Sequence, residues 1–245
     1  MRIRVFATAD ELARATATLM AVRAARAIVE HGQANLALAG GATPLPIYRA
    51  LAQSPLLEVM PWQACHFFFS DERALPHDHP GSNYGQARRI MLEQAPLKSG
   101  QVHPVPVDLY EPEEAAARYQ AELRTHFGGL LPAFDFILLG LGPDGHLASL
   151  FPQDPAQAEG GGWVAAVQPP EGVQPAVERV TLTWPVLNAG RTVVVAVTGA
   201  GKRQAVQKAL GQEASGHAAS PASRLRPFGE LFWFLDQEAA AGLKP

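Results

Sequence analysis

A single cysteine, Cys65, stands among the 245 residues. With no second thiol in the chain an intramolecular disulfide is excluded, and a reducing compartment is expected. No run of lysine or arginine occurs, and the formal net charge is −3, which argues against nucleic acid as the main partner. No apolar stretch approaches the roughly 18 residues a membrane-spanning helix needs. The apolar start Ile3–Phe6 is too short for a signal peptide and runs straight into a polar helix. Recognisable metal-ligand spacings are missing as well. His77-Asp78-His79 offers two imidazoles in a proline-rich loop with no third or fourth ligand at a telling distance, so no metal is expected. Cys65 opens an apolar strand with no histidine placed to activate it, and reads as a small buried residue. A cytoplasmic protein with neither a membrane nor a nucleic-acid partner, monomeric or weakly dimeric, is the expectation.

Hydrophobic residues make up 47% of the chain and charged residues 18%, an ordinary globular balance. The length allows one large α/β domain or two small ones. Without an internal repeat or a linker-like stretch, one domain over 1–245 is expected. Apolar runs predict strands at Ile3–Phe6, Asn35–Ala39, His66–Ser70, Phe134–Leu139, Trp163–Val167, Val177–Thr183, Thr192–Val197 and Leu231–Leu235. An edge strand is expected at Val102–Val105, where Pro104 cannot donate to a ladder. Helices are predicted from Asp10, as cap, to about Glu30 before Gly32, and from Pro44 behind Thr43. Others run from Ser82, as cap, to about Gln94, from Glu111 to Phe127, and from Lys202 to Leu210. Residues 153–162 read as a loop, and 211–222, small and polar, as a mobile segment. Strands alternating with helices of this length imply a mostly parallel sheet covered on both faces.

In such a sheet ligands bind beyond the carboxyl ends of the strands, and four of those ends carry unusual residues. Gly40-Gly41-Ala42-Thr43-Pro44 is richer in glycine than a plain helix start requires. Its backbone N–H groups and helix N-terminus suit a phosphate. Asp71-Glu72-Arg73 follows a Phe-Phe-Phe strand that must be buried. If the chain leaves the strand there, Asp71 and Arg73 can be aimed the same way, although three adjacent charges are often merely solvated. Gly140, Gly142 and Gly145 formally fit the dinucleotide pattern G-x-G-x-x-G, but Pro152 cuts short the helix that pattern must open. What that turn does present is Asp144 beside His146, and an imidazole is the natural general base near neutral pH. The fourth end, Gly199-Ala200-Gly201-Lys202, is not a P-loop, because Ala196 and Arg203 stand where glycine and Ser/Thr belong. Lys202 can still neutralise a phosphate. A sugar phosphate is the ligand these four ends suggest together.

Leu38-Ala39-Gly40-Gly41-Ala42-Thr43-Pro44, then Ser70-Asp71-Glu72-Arg73 with Ser82-Asn83-Tyr84, then Gly140 through Pro152 resemble the 6-phosphogluconolactonase family. Arg179-Val180-Thr181-Leu182-Thr183, Leu187-Asn188, Gly201-Lys202 and Pro221-Ala222-Ser223-Arg224 extend the resemblance nearly end to end. The resemblance implies a Rossmann-like α/β fold shared with glucosamine-6-phosphate deaminases and isomerases. It also implies hydrolysis of 6-phospho-D-glucono-1,5-lactone in the oxidative pentose phosphate pathway, without a catalytic metal or organic cofactor. His146 is then expected as base, with Asp144 or Asp71 orienting it and Arg73 stabilising charge. Gly40, Gly41, Ala42, Thr43, Asn83, Gly142, Gly145, Arg179 and Lys202 are expected to bind substrate. Ala42 departs from the family, which commonly has a hydroxyl residue there. The deaminases place a glutamate five residues beyond the histidine, where this chain has Phe151. A deaminase or isomerase, or a non-catalytic sugar-phosphate sensor, are the alternatives.

Overall fold

The computed structural model describes residues 1–152, 162–211 and 220–243. Six strands form a parallel sheet in the order β1-β9-β8-β5-β2-β3: β1 (Arg2–Phe6), β2 (Ala34–Leu38), β3 (Cys65–Phe69), β5 (Phe136–Leu139), β8 (Thr192–Val197) and β9 (Glu230–Asp236). Every residue of β2, β5 and β8 is buried, so the middle of the sheet is covered on both faces, as its uninterrupted apolar runs require. A second, antiparallel sheet joins β4 (Asp71–Arg73), β7 (Arg179–Leu182) and β6 (Val164–Val167) in the order β4-β7-β6. Pattern reading does not anticipate this sheet. Asp71-Glu72-Arg73 is not a departure from a strand but a strand of its own, paired Asp71 to Thr181 and Arg73 to Arg179.

Helix α1 (Ala9–His31) crosses the main sheet with Leu12, Met20 and Ala24 buried, and Gly32 ends it at φ 88°. Its cap is Thr8 rather than Asp10: the Thr8 hydroxyl accepts from the Glu11 N–H at 3.1 Å, while Asp10 sits in the first turn, where the helix dipole favours an acid. Helix α2 (Pro44–Leu51) starts on Pro44, and α3 (Leu56–Val59) is a single turn. Ser82 caps α4 (Asn83–Ala87), accepting from Gly85 N–H at 3.0 Å; beyond it residues 88–92 continue as a π-helix. Helix α5 (Pro112–His126) packs on the second sheet. The expected edge strand at Val102–Val105 reduces to one bridge between Val102 and Phe67, which fits Pro104's missing donor. Most of the predicted 153–162 loop and of the 211–222 segment lies outside the described residues; within the latter, Pro221–Arg224 forms a 3-10 turn. No helix among the described residues is long and apolar enough to cross a membrane.

Candidate active site

The strand order decides where a ligand can sit. From β2 the chain proceeds to β3 on one side, and from β5 it proceeds toward β8 on the other, so the crevice of the sheet opens between the carboxyl ends of β2 and β5. A cavity of about 300 Å³ lies there, at the small end of ligand-sized pockets. Gly40, Gly41, Ala42, Thr43, Asp71, Arg73, Asn83, Gly142, His146, Arg179 and Lys202 all line it. A larger hollow of about 530 Å³ lies at the amino ends of the strands. Its arginines Arg23 and Arg191 pair with Glu230 and Asp135, so size does not mark it as a binding site.

The glycine turn supplies one part of the lining. Gly41 adopts φ 94°, a conformation that L side chains rarely take. Gly40 leaves room for Asn83: a Cβ there would overlap the Asn83 amide. The strand end before the turn is clamped by buried Tyr48, whose hydroxyl accepts from Ala39 N–H at 3.0 Å and donates to Ala39 C=O at 2.6 Å. Thr43 does not cap α2. Its hydroxyl instead pairs with that of Thr198 at 2.9 Å, joining the end of β2 to the end of β8. Thr198, not singled out from sequence, lines the cavity beside Lys202. Gly199 turns the chain at φ 89°, pinned by Asp236, which accepts from its N–H at 2.9 Å. Burial pushes the Lys202 ammonium below its ordinary range, and the Asp144 carboxylate opposes that shift.

Polar side chains supply another part of the lining, with Asp71, Asn83 and Arg179 buried. Asp71 and Arg73 are two residues apart on β4 and so share a face, while Glu72 points away. Asp71 accepts from the Ser149 hydroxyl at 2.8 Å, a partner that pattern reading left out although it lies in the Gly140–Pro152 block. Tyr119 clamps the end of β3 as Tyr48 clamps β2, accepting from Phe69 N–H at 2.9 Å. Glu72 is fully buried and accepts from Asn83 N–H and Tyr84 N–H at 2.8 Å each and from the Ser82 hydroxyl at 3.1 Å. Burial pushes its carboxyl up, and those backbone donors pull it back. This knot sets Asn83 against the glycine turn. Asn83 Oδ1 and Arg73 Nε are buried and have no hydrogen-bond partner among the described residues. Arg179 donates through Nε to Val177 C=O at 3.1 Å and through Nη2 to Pro175 C=O at 2.9 Å. Burial lowers its pKa against the pull of Asp71, yet a guanidinium keeps its charge.

The imidazole belongs to the same lining. Nδ1 of His146 lies 2.5 Å from Asp144 Oδ1, so Asp144, not Asp71, is the carboxylate that orients the ring. With the Nδ1 proton on that bond, the Nε2 lone pair is free. Burial raises the Asp144 carboxyl, but the hydrogen bond and charge of His146 outweigh it and hold it below the usual carboxylate range. Asp144 itself is not among the cavity-lining residues; it meets the cavity only through its bond to the ring. Gly145, expected to touch substrate, also lies off the lining: at φ 87° it packs under Ser220, and its C=O accepts from Ala222 N–H at 3.1 Å. Phe151 packs on the ring at 4.7 Å between centroids. A Cβ on Gly142 would overlap Nδ1 and Cε1 of His146 and come within 2.6 Å of Asp144 Oδ1. Gly142 is outside the left-handed region, so Gly142→Ala strains no backbone and acts by displacing the ring. Turnover should fall about 10²-fold, the usual cost of a misplaced catalytic group, with little change in melting temperature.

Fold and site together define an α/β protein with a small polar cavity at a topological switch point of its sheet, faced by an imidazole paired with a carboxylate. Residues 7–233 match the family model described as glucosamine-6-phosphate isomerases/6-phosphogluconolactonase, and the chain belongs to that family. It is 42% identical to a 6-phosphogluconolactonase of Synechocystis sp. over 226 residues, covering 91% of this chain and 90% of that protein. It is 38% identical to the 6-phosphogluconolactonase of Homo sapiens over 245 residues, covering 97% and 92%. Among solved structures, the 6-phosphogluconolactonase from Trypanosoma brucei superposes with TM-score 0.85 at 33% identity, covering 99% and 98%. A monomeric glucosamine-6-phosphate deaminase shares the fold, with TM-score 0.80 at 24% identity over 98% and 99%.

Proposed function

We propose that this chain, as one domain over 1–245, hydrolyses 6-phospho-D-glucono-1,5-lactone to 6-phospho-D-gluconate in the oxidative pentose phosphate pathway. One observation carries the reading: Thr43 and Lys202, suited to a phosphate, and His146, suited to a base, line the same small cavity. A six-carbon phosphoester spans such a space. The phosphate sits on the Gly40–Thr43 turn with Lys202, and Arg73, Arg179 and Asn83 hold the sugar oxygens along the wall. Remote anchoring of this kind places C1 over the base. His146 Nε2 takes a proton from water as the water oxygen bonds to C1, and the carbonyl oxygen becomes an oxyanion that Arg73 stabilises. The C1–ring-oxygen bond then breaks, and the imidazolium returns its proton to the departing ring oxygen. No organic cofactor or catalytic metal enters this scheme.

The deaminase alternative lacks its carboxylate, because Phe151 occupies that position against the ring. The reading is tested by a coupled assay on freshly generated phosphogluconolactone, corrected for spontaneous hydrolysis. Enzyme-dependent formation of 6-phosphogluconate is expected. Ammonia release from glucosamine 6-phosphate, or ligand-induced stabilisation with no lactone turnover, would replace it with one of the alternatives. A cytoplasmic setting is proposed from the lone thiol of Cys65, buried and pushed up to about 12 by burial.

A further inference from the structure

Three histidines far apart in sequence meet at the end of the sheet opposite the cavity. His66 is the second residue of β3, His103 follows the bridge from Val102 to Phe67, and His126 ends α5. Their ring centroids lie 5.3, 4.7 and 5.2 Å apart, and one nitrogen from each falls within 4.8 Å of the others. All three are partly buried. We propose that His66, His103 and His126 bind a divalent transition-metal ion of the zinc type, with Glu122 as its outer carboxylate. The ion would be structural, remote from His146, and would fasten the end of α5 to the start of β3. The proposal does not depend on the lactone reading.

The hydrogen bonds around the cluster are those of a ligand set. Glu122 Oε1 lies 2.6 Å from His103 Nδ1, which fixes the proton there and turns the Nε2 lone pair toward His66. A carboxylate on the far nitrogen of a ligating histidine is the usual support of a zinc-bound imidazole. Nε2 of His126 lies 2.7 Å from Asn35 Oδ1 and 3.5 Å from Gln33 Nε2. His103 is also stacked on Phe68 at 4.1 Å and 3°, a rigid apolar floor. In the metal-free cluster His66 Nδ1 and His103 Nε2 share a hydrogen bond of 3.0 Å. An ion held at about 2.0–2.1 Å by each nitrogen replaces that bond, moves the His66 proton to Nε2, and draws the three nitrogens to about 3.3 Å of one another, with water as the fourth ligand. Imidazole donors suit zinc, copper and nickel rather than magnesium or calcium. The three positions, 66, 103 and 126, carry no short spacing, which is why sequence reading expected no metal.

The test uses the full chain, stripped with a chelator and titrated with zinc chloride against a chromophoric zinc competitor. One ion per chain should bind with a Kd in the micromolar range or below. At free zinc about 100 times Kd the melting temperature should rise by about 5–10 °C. His126→Ala and His66→Gln should each weaken binding at least 10²-fold and remove the thermal shift, and Glu122→Gln should weaken it about 10–100-fold. His146→Ala and His79→Ala should bind zinc as the parent does, which separates this site from the cavity and from the His77–His79 loop. Folding of each variant is checked by its unfolding transition. Should His126→Ala fail to fold through loss of its edge-on packing against Phe68 at 4.9 Å and Phe127 at 5.1 Å, His66→Gln decides. No zinc binding by the parent, loss of binding in His146→Ala, or full binding in His66→Gln each overturns the proposal.

Discussion

His146→Ala is expected to hydrolyse the lactone about 10²–10⁴-fold more slowly than the parent chain while binding 6-phosphogluconate almost as well. The separation of effects follows from the geometry. The ring lines the cavity without a hydrogen bond to the glycine turn among the described residues, and the side chain it does bond there is Asp144, at 2.5 Å. Removing it deletes the base but leaves the Thr43–Thr198 pair, the Asn83–Glu72 knot and Lys202 in place. The product's inhibition constant reports that the cavity is intact, and kcat reports the chemistry. Near-parent turnover in this variant would refute the assignment of the base. The acid side of the stability profile carries a second check. Asp144 binds its proton at lower pH in the folded chain than in the unfolded one. The Asp144–His146 contact therefore contributes stability that is complete above the ordinary carboxylate range and is lost as pH falls through the lower folded value. Asp144→Asn should flatten that acid-side loss in a series of melting curves.

The features legible from sequence are those encoded locally. Apolar runs such as Thr192–Val197 can only be buried strands, and each strand end with glycine and polar residues reads directly as a candidate for the carboxyl edge of a parallel sheet. Thus Gly40–Thr43, His146 and Lys202 could be named before any coordinates, and they share one cavity. What escaped depends on partners distant in the chain. The second sheet rests on Asp71 pairing with Thr181, and a three-residue strand has no period of its own to betray it. The role of Gly145 escaped because Ser220, seventy-five positions away, fills the space above it. Ser149 escaped because the partner of its hydroxyl, Asp71, lies seventy-eight positions away. Thr8 displaced Asp10 as the cap because both are good cap types, and only the backbone direction chooses between them.

Lys202→Met should raise the KM for the phosphorylated lactone and the inhibition constant of 6-phosphogluconate by about 10²–10³-fold, the scale of losing one desolvated charge partner. Methionine keeps the unbranched stem and removes only the ammonium. Burial already disfavours that charge in the folded chain, so the substitution should not lower the melting temperature, and a folding defect cannot stand in for a binding one. Lys202 nevertheless has two tasks open to it, because its charge also interacts with Asp144. If it chiefly neutralises phosphate, affinity falls, kcat changes little, and weak turnover of the unphosphorylated gluconolactone is unaffected. If it chiefly supports the Asp144–His146 pair, kcat falls for both lactones and product affinity stays. The geometry favours the first outcome: Lys202 follows directly from the Gly199 turn, beside Thr198, whose hydroxyl is bonded to Thr43 in the glycine turn. Two strand ends thus bring one cation and one row of backbone donors to the same place, and a phosphate is the ligand that satisfies both. The second outcome would shift the anchoring role to Arg179, whose Nε and Nη2 are committed to backbone carbonyls and whose remaining amino group is left for substrate.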